Sequence, residues 1–244
     1  MYKLQLVILW RTIFQIISNK NKYTKNLRLI GGKLVNLDSI QEGSTIISAG
    51  LGDDIEFEIK MIQEKKVIVI GIDPTEESKR VLEKAIKFKR INAQNFILIN
   101  KVLFTTNLNT KLFLPDNGFM TSTYDDHSDV NKSNYKYVES ITIKELLEKN
   151  YNISYLKIDI EGGEYEILKN IDDICNINQI SIEFHHYCIN NVSLFDTLKI
   201  VNNFKNKNYD VIDYTQAAHK DKKLIKNTAL WENLNCEFLL IKKR

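Results

Sequence analysis

An α/β fold, with helices on both faces of a mostly parallel sheet, is what this sequence predicts. Three observations carry that expectation. Short β-branched runs alternate with amphipathic helical stretches along most of the chain. One run, 67–72, is apolar through nearly its whole length, as a strand covered on both faces must be. The 244 residues contain only two prolines and nine glycines, so one core can be filled and no linker divides it.

The elements follow in order. A strand at 45–49 leads to a helix at 55–64, a strand at 67–72 to a helix at 76–90, and a third strand spans 96–99. Residues 101–114 read as strand, turn and strand, and the polar segment 118–136 as a long loop. A helix at 143–149, a strand at 154–160 and a helix at 165–171 come next. After a strand at 179–184, Ser193 is placed to cap a helix over 193–207. Two last strands, 209–214 and 237–241, have no helix between them, only a polar stretch with Trp231, and so predict a closing antiparallel pair.

Residues 30–244 are therefore read as one domain and residues 1–29 as a helical extension. In that extension Leu4, Val7, Ile8, Trp10, Ile13, Phe14 and Ile17 recur at helical spacing. Arg11 interrupts the run well short of a membrane span, and no small-residue cleavage site follows. A docking helix is the plain expectation, with a homodimer contact or a membrane-surface contact as alternatives.

Composition narrows the function. Net charge is +3 with a pI near 8.5, and acidic and basic residues are interleaved, so no patch for nucleic acid is expected. Three cysteines, Cys175, Cys188 and Cys236, form no metal-ligand rhythm and suit a reducing, cytoplasmic setting as buried thiols.

The first motif is Ser48-Ala49-Gly50-Leu51-Gly52-Asp53-Asp54, between the first strand and the first helix. Two glycines there let backbone amides approach a ligand, and Asp73 at the end of the next strand is placed for the two ribose hydroxyls of an adenosine. This predicts a Rossmann-like three-layer αβα sandwich holding an adenosine cofactor. Ser48, Gly50, Gly52, Asp53, Asp54, Asp73 and Asn100, just past the third strand, are the cofactor-binding candidates. A dinucleotide puts its pyrophosphate at the helix start, which Asp53 and Asp54 would repel; S-adenosylmethionine carries a sulfonium and an ammonium, which they suit. One of the two aspartates can equally cap the helix.

The second motif is Lys157-Ile158-Asp159-Ile160-Glu161-Gly162-Gly163-Glu164, and the third is Glu183-Phe184-His185-His186. On a strand, Lys157, Asp159 and Glu161 share one side, and charges in a central strand are costly unless paired or functional. Asp159, Glu161, His185 and His186 are the catalytic candidates, either histidine serving as general base. Asp159, Glu183 and His185 could instead hold a divalent ion, Mg or Mn, that orients a substrate hydroxyl. A salt bridge of Lys157 with a neighbouring acid is the structural alternative.

Taken together, SAGLGDDIEFE, TIKELLEKNYNISYLKIDIEGGEYEIL, SIEFHHY and CEFLLIKK resemble the FkbM family of methyltransferases over roughly residues 30–243. The resemblance implies a seven-stranded sheet with a C-terminal antiparallel strand. It also implies S-adenosylmethionine as donor and a hydroxyl acceptor on a sugar, polysaccharide or related small molecule. Lys144 departs from the family, which commonly has an aspartate there.

Rival functions are narrowed by what the chain lacks. There is no Pro-Pro for a base amino-methylating loop and no Pro-Cys for a cytosine C5 nucleophile. A nucleotide-dependent oxidoreductase is opposed by Asp53 and Asp54. A cofactor-binding module without catalysis, or methylation of an amine or a carboxyl group, stays open. Segments 118–136, with Thr121, Ser122, Thr123, Tyr124 and His127, and 216–235 are expected to shape the acceptor site.

Overall fold

The computed structural model describes residues 26–116, 120–149, 152–215 and 235–243. Of the expected N-terminal extension, residues 1–25 lie outside these, as does 216–234 with Trp231. Residues 27–29 lie in a strand, not a helix.

The described chain enters through a hairpin, β1 (Leu27–Ile30) and β2 (Lys33–Asn36), turned by Gly31 and Gly32 at positive φ. β3 (Thr45–Ala49), α1 (Glu56–Lys65), β4 (Ile68–Ile72), α2 (Glu76–Lys87) and β5 (Phe96–Ile99) follow. β6 (Val102–Leu103) pairs with β9 (Ser140–Ile141), and β7 (Thr110–Leu114) with β8 (Asn131–Val138). Next come α3 (Ile143–Glu148), β10 (Ile153–Ile158), the single turn α4 (Glu164–Ile167) and β11 (Gln179–Phe184). α5 (Leu194–Asn206), β12 (Tyr209–Asp213) and β13 (Cys236–Lys242) complete it. Ser193 caps α5 in a reciprocal capping box with Asp196.

Seven strands make the central sheet in the order β12-β13-β11-β10-β3-β4-β5, with β13 antiparallel to both neighbours. This is the expected Rossmann-like sandwich with its C-terminal antiparallel strand. Period-two alternation sends neighbours to opposite faces: Ile47, Ile70 and Leu156 join one core cluster, and Ile46, Val69 and Tyr155 the other.

Three expectations need correction. Residues 131–138 form a strand rather than loop; its side chains are nearly all exposed, so no alternation marks it, and it is held by β7 and by Tyr135 against Phe113. β10 ends at Ile158, so Glu161 is not on a strand. The helix expected over 165–171 is only Glu164–Ile167.

The hairpin of β1 and β2 was not anticipated, and it matters most for the site. The Gln179 side chain accepts from Asn36 N (2.9 Å) and donates to Asn36 O (3.0 Å), while Tyr155 Oη donates to Leu34 O (3.0 Å). Buried backbone groups satisfied in this way dock the hairpin against the sheet. That docking delivers Lys33 to the ends of the central strands.

Candidate active site

A cavity of about 280 Å³ opens beyond the carboxyl ends of β3, β4 and β10. Ligands collect at that position in open α/β sheets. Gly50, Gly52, Asp53, Asp54 and Asp73 line one side; Asp159, Glu161, Lys33 and Lys157 line the other.

The glycine turn is built by close contact. Gly50 has φ +79°, and a Cβ there would lie 1.5 Å from the Asp159 carbonyl oxygen. Glycine is thus required for the β3 and β10 ends to meet, with Asp159 N donating to Ala49 O (3.1 Å). Gly52, at φ +58°, has open space where a side chain would go. Asp73 braces this turn: Oδ2 accepts from Leu51 N (2.8 Å) and Gly52 N (3.1 Å), and Oδ1 from the amide and hydroxyl of Thr75. Asp54 Oδ1 accepts from Glu56 N (2.8 Å) at the start of α1, while Asp53 stays exposed. Both aspartates line the cavity, and Asp54 in addition holds the first amide of α1.

The acidic motif forms a second turn. Glu161 adopts φ +52° and Gly162 φ +105°, a left-handed step that non-glycine residues seldom take. Glu164, fully buried on α4, holds the turn: its carboxylate accepts from Ile160 N and Gly162 N, each at 2.8 Å. Buried Ser122 donates from Oγ to Glu161 O (2.6 Å). The result turns the Glu161 side chain into the cavity beside Asp159.

Beneath these acids lies His185, 1% exposed. Its Nδ1 is 3.1 Å from Glu164 Oε1, and its Nε2 lies 3.4 Å from Glu161, 3.8 Å from Asp159 and 3.8 Å from Glu183. Burial opposes protonation, but Glu164, Glu161 and Glu183 outweigh it and hold the imidazole well above its usual pKa. His127 Nε2 approaches the same Glu161 oxygen, Oε2, at 3.4 Å. Burial lowers His127, and Cys188 with Glu161 more than offsets this, raising it to about 9.

Lys33 is the counter-charge that sequence reasoning missed. Glu183 and Glu237 face each other across β11 and β13, an arrangement that like charges disfavour. Lys33 Nζ lies between them, 2.7 Å from Glu183 and 2.9 Å from Glu237, and 3.2 Å from Asp159. Burial works against the ammonium, but Asp159, Glu237 and Glu183 raise it well above its ordinary value. Glu183 is held low: burial pushes it up, and Lys33 and His185 overcome that. Glu237 goes the other way, up to about 8, through burial and the Glu183 charge.

Of the predicted residues, Gly50, Gly52, Asp53, Asp54, Asp73, Asp159 and Glu161 line one cavity. Ser48 does not; it is buried, and its Oγ donates to Glu58 Oε1 (2.5 Å). Asn100 is exposed and outside the cavity lining, and His185, His186 and Glu183 also lie outside that lining. Among the described residues, the donor set for an ion is Asp159, Glu161 and His185, with ligand atoms all within 4.8 Å of one another; Glu183 is engaged by Lys33 instead. A second such set is His127, Asp129 and Cys188, although His127 Nδ1 already accepts from Asp129 N (3.2 Å). None of the three cysteines is in a disulfide. Lys33, Glu58 and Glu237 escaped the sequence reading, and Glu164 was quoted in the acidic motif without its bracing role; for Lys33 the Gly31-Gly32 pair ahead of it offered a signal, as a hairpin turn.

The chain matches the family model described as the methyltransferase FkbM domain over residues 41–211. No curated protein matches it. Among solved structures, it is similar to a methyltransferase FkbM from Methylobacillus flagellatus KT, at 13% identity and TM-score 0.53, over 91% of this chain and 50% of that one. The chain thus spans about half the length of that protein, and at this identity the likeness concerns the fold. A magnesium protoporphyrin IX methyltransferase from Synechocystis PCC 6803, solved with S-adenosylmethionine, aligns at 11% identity and TM-score 0.45, over 85% of this chain and 74% of that one. Among the described residues no helix is long and apolar enough to cross a membrane.

Proposed function

This chain belongs to the FkbM family of S-adenosylmethionine-dependent methyltransferases, and on that premise we propose that it methylates a hydroxyl oxygen of a sugar, polysaccharide or related small molecule. The observation that carries this reading is the single cavity running from the glycine turn and Asp73 to the carboxylates of Asp159 and Glu161. The first side would hold the cofactor, with Asp73 receiving its adenosine and Asp159 nearest its methyl. A ribose hydroxyl at Asp73 takes over an acceptor position now used by Thr75.

The acceptor hydroxyl is held in line with the sulfonium, so orientation supplies much of the acceleration. The O–CH3 bond forms as the S–CH3 bond breaks, leaving S-adenosylhomocysteine, and the hydroxyl proton passes to a cavity carboxylate. We assign that role to Glu161, because it lines the cavity while His185 and His186 lie outside its lining. His185 and His127 flank Glu161 and position it. The acid-rich wall disfavours a carboxylate acceptor and suits a hydroxyl or an amine.

One observation favours a metal-assisted form. His185 Nδ1 faces Glu164, the outer arrangement common for histidines whose other nitrogen binds metal. Asp159, Glu161 and His185 would hold Mg or Mn, which when bound lowers the pKa of a coordinated hydroxyl. The proposal includes a cytoplasmic setting and no nucleic-acid partner.

Incubation with methyl-labelled S-adenosylmethionine and panels of saccharides, amines and carboxylic acids tests the reading. A labelled methyl ether is expected. A methyl ester, or cofactor binding without transfer to any acceptor, counts against it.

A further inference from the structure

Glu58 has a property that the preceding proposal does not use. It lies in the first turns of α1 and is 1% exposed. Its Oε1 accepts from Ser48 Oγ (2.5 Å), while its Oε2 is buried with no hydrogen-bond partner. Glu58 also lines the cavity, next to Gly50, Gly52 and Lys157. Buried carboxylate oxygens are nearly always satisfied, because desolvation without a bond costs free energy. An unmet acceptor in a cavity wall therefore marks where a ligand donor belongs.

The sign of that donor follows from its surroundings. Burial raises the Glu58 carboxyl above its ordinary value despite the opposing pull of Lys157 and the Ser48 hydrogen bond, and an ammonium brought to Oε2 would restore its ionised form. Lys157 presents an ammonium to the same cavity, tied to the Gly50 carbonyl and lying 3.4 Å from Asp159. One wall thus offers an acid and a base side by side, which is the complement of an amino-acid zwitterion.

Resting on the cofactor reading above, we propose that Glu58 Oε2 receives the α-ammonium of the cofactor's amino-acid end, with Lys157 facing its carboxylate. The sulfonium is then carried toward Asp159, and the nucleoside toward Asp73. Ser48 takes part indirectly, by fixing the Glu58 rotamer.

A calorimetric cycle tests this with S-adenosylhomocysteine and its deaminated analogue, which keeps the carboxylate and lacks the amine. On the wild-type protein, deamination should weaken binding roughly tenfold or more, as loss of a charge-assisted bond predicts. On Glu58→Gln, which preserves the Ser48 partner, the two ligands should bind alike. Equal affinities on the wild type, or the same preference in both proteins, would overturn the Glu58 assignment while leaving the cofactor reading intact. If Glu58→Gln does not fold, Glu58→Asp takes its place in the cycle, and an undiminished preference for the amine-bearing ligand would overturn the assignment. Failure of the wild type to bind S-adenosylhomocysteine would remove the cofactor reading and this seat together.

Discussion

Lys33 Nζ lies 2.7 Å from Glu183 Oε2, so a residue of the N-terminal hairpin neutralises an acid at the end of β11. Because Glu237 sits opposite Glu183, one buried ammonium serves both carboxylates and Asp159 as well. Taking away that ammonium leaves buried acids facing one another.

Lys33→Met should therefore destabilise the fold by about 3–5 kcal/mol, the usual consequence of removing one partner of a buried ion pair. Urea unfolding at neutral pH measures it, and a loss below about 1 kcal/mol would mean that the pairing is energetically idle. The pH dependence has a definite sign. Lys33 is raised above its unfolded value, so its contribution is present below about pH 10.4 and is lost as pH climbs through the raised pKa.

Glu237 gives a second, opposite signature. Burial and the Glu183 charge raise it from 4.5 to about 8, so between those values the folded protein keeps a proton that the unfolded chain has released. Stability from this group is therefore present at acid pH and falls as pH rises across that window. Glu237→Gln should flatten the decline between pH 5 and 8 in a series of thermal melts. An unchanged pH profile would show that Glu237 titrates normally.

How much of this was readable in advance depends on the range of the interaction. The glycine turn, Asp73, Asp159 and the closing strand pair are local signals: a strand end, a turn residue, an alternation of period two. Lys33 was not legible, because its importance comes from Glu183 and Glu237, far along the chain. Glu161 was identified but misplaced on a strand; its φ of +52° is imposed by Glu164 and Ser122, which no periodicity reports. His185 looked like a base because of its residue type, and its burial beneath four carboxylates emerges only from packing.

The two glycines of the turn should separate in their effects. Gly50→Ala forces a methyl into the Asp159 carbonyl and should cost about 3 kcal/mol or more of stability. Gly52→Ala meets nothing and should cost about 1 kcal/mol for its left-handed φ while weakening S-adenosylhomocysteine binding at the cavity. Equal destabilisation by both, seen in denaturant melts, would contradict this division.

His185→Gln should lower kcat more than it weakens S-adenosylhomocysteine binding, since His185 positions Glu161 without lining the cavity. Glu161→Gln should lower kcat further, by roughly 100-fold or more, the range for loss of a general base. Single-turnover rates beside calorimetric affinities separate the two effects. Loss of cofactor affinity in step with the rate for His185→Gln would place this histidine at the cofactor instead.

The central claim, that the cavity at the glycine turn holds S-adenosylmethionine, is tested most directly by calorimetric titration of the protein with S-adenosylhomocysteine, with NAD as control. The account predicts saturable binding of the former at one site per chain, abolished or sharply weakened in Asp73→Ala, and no binding of NAD. Binding of NAD with no response to S-adenosylhomocysteine at millimolar concentration would contradict it.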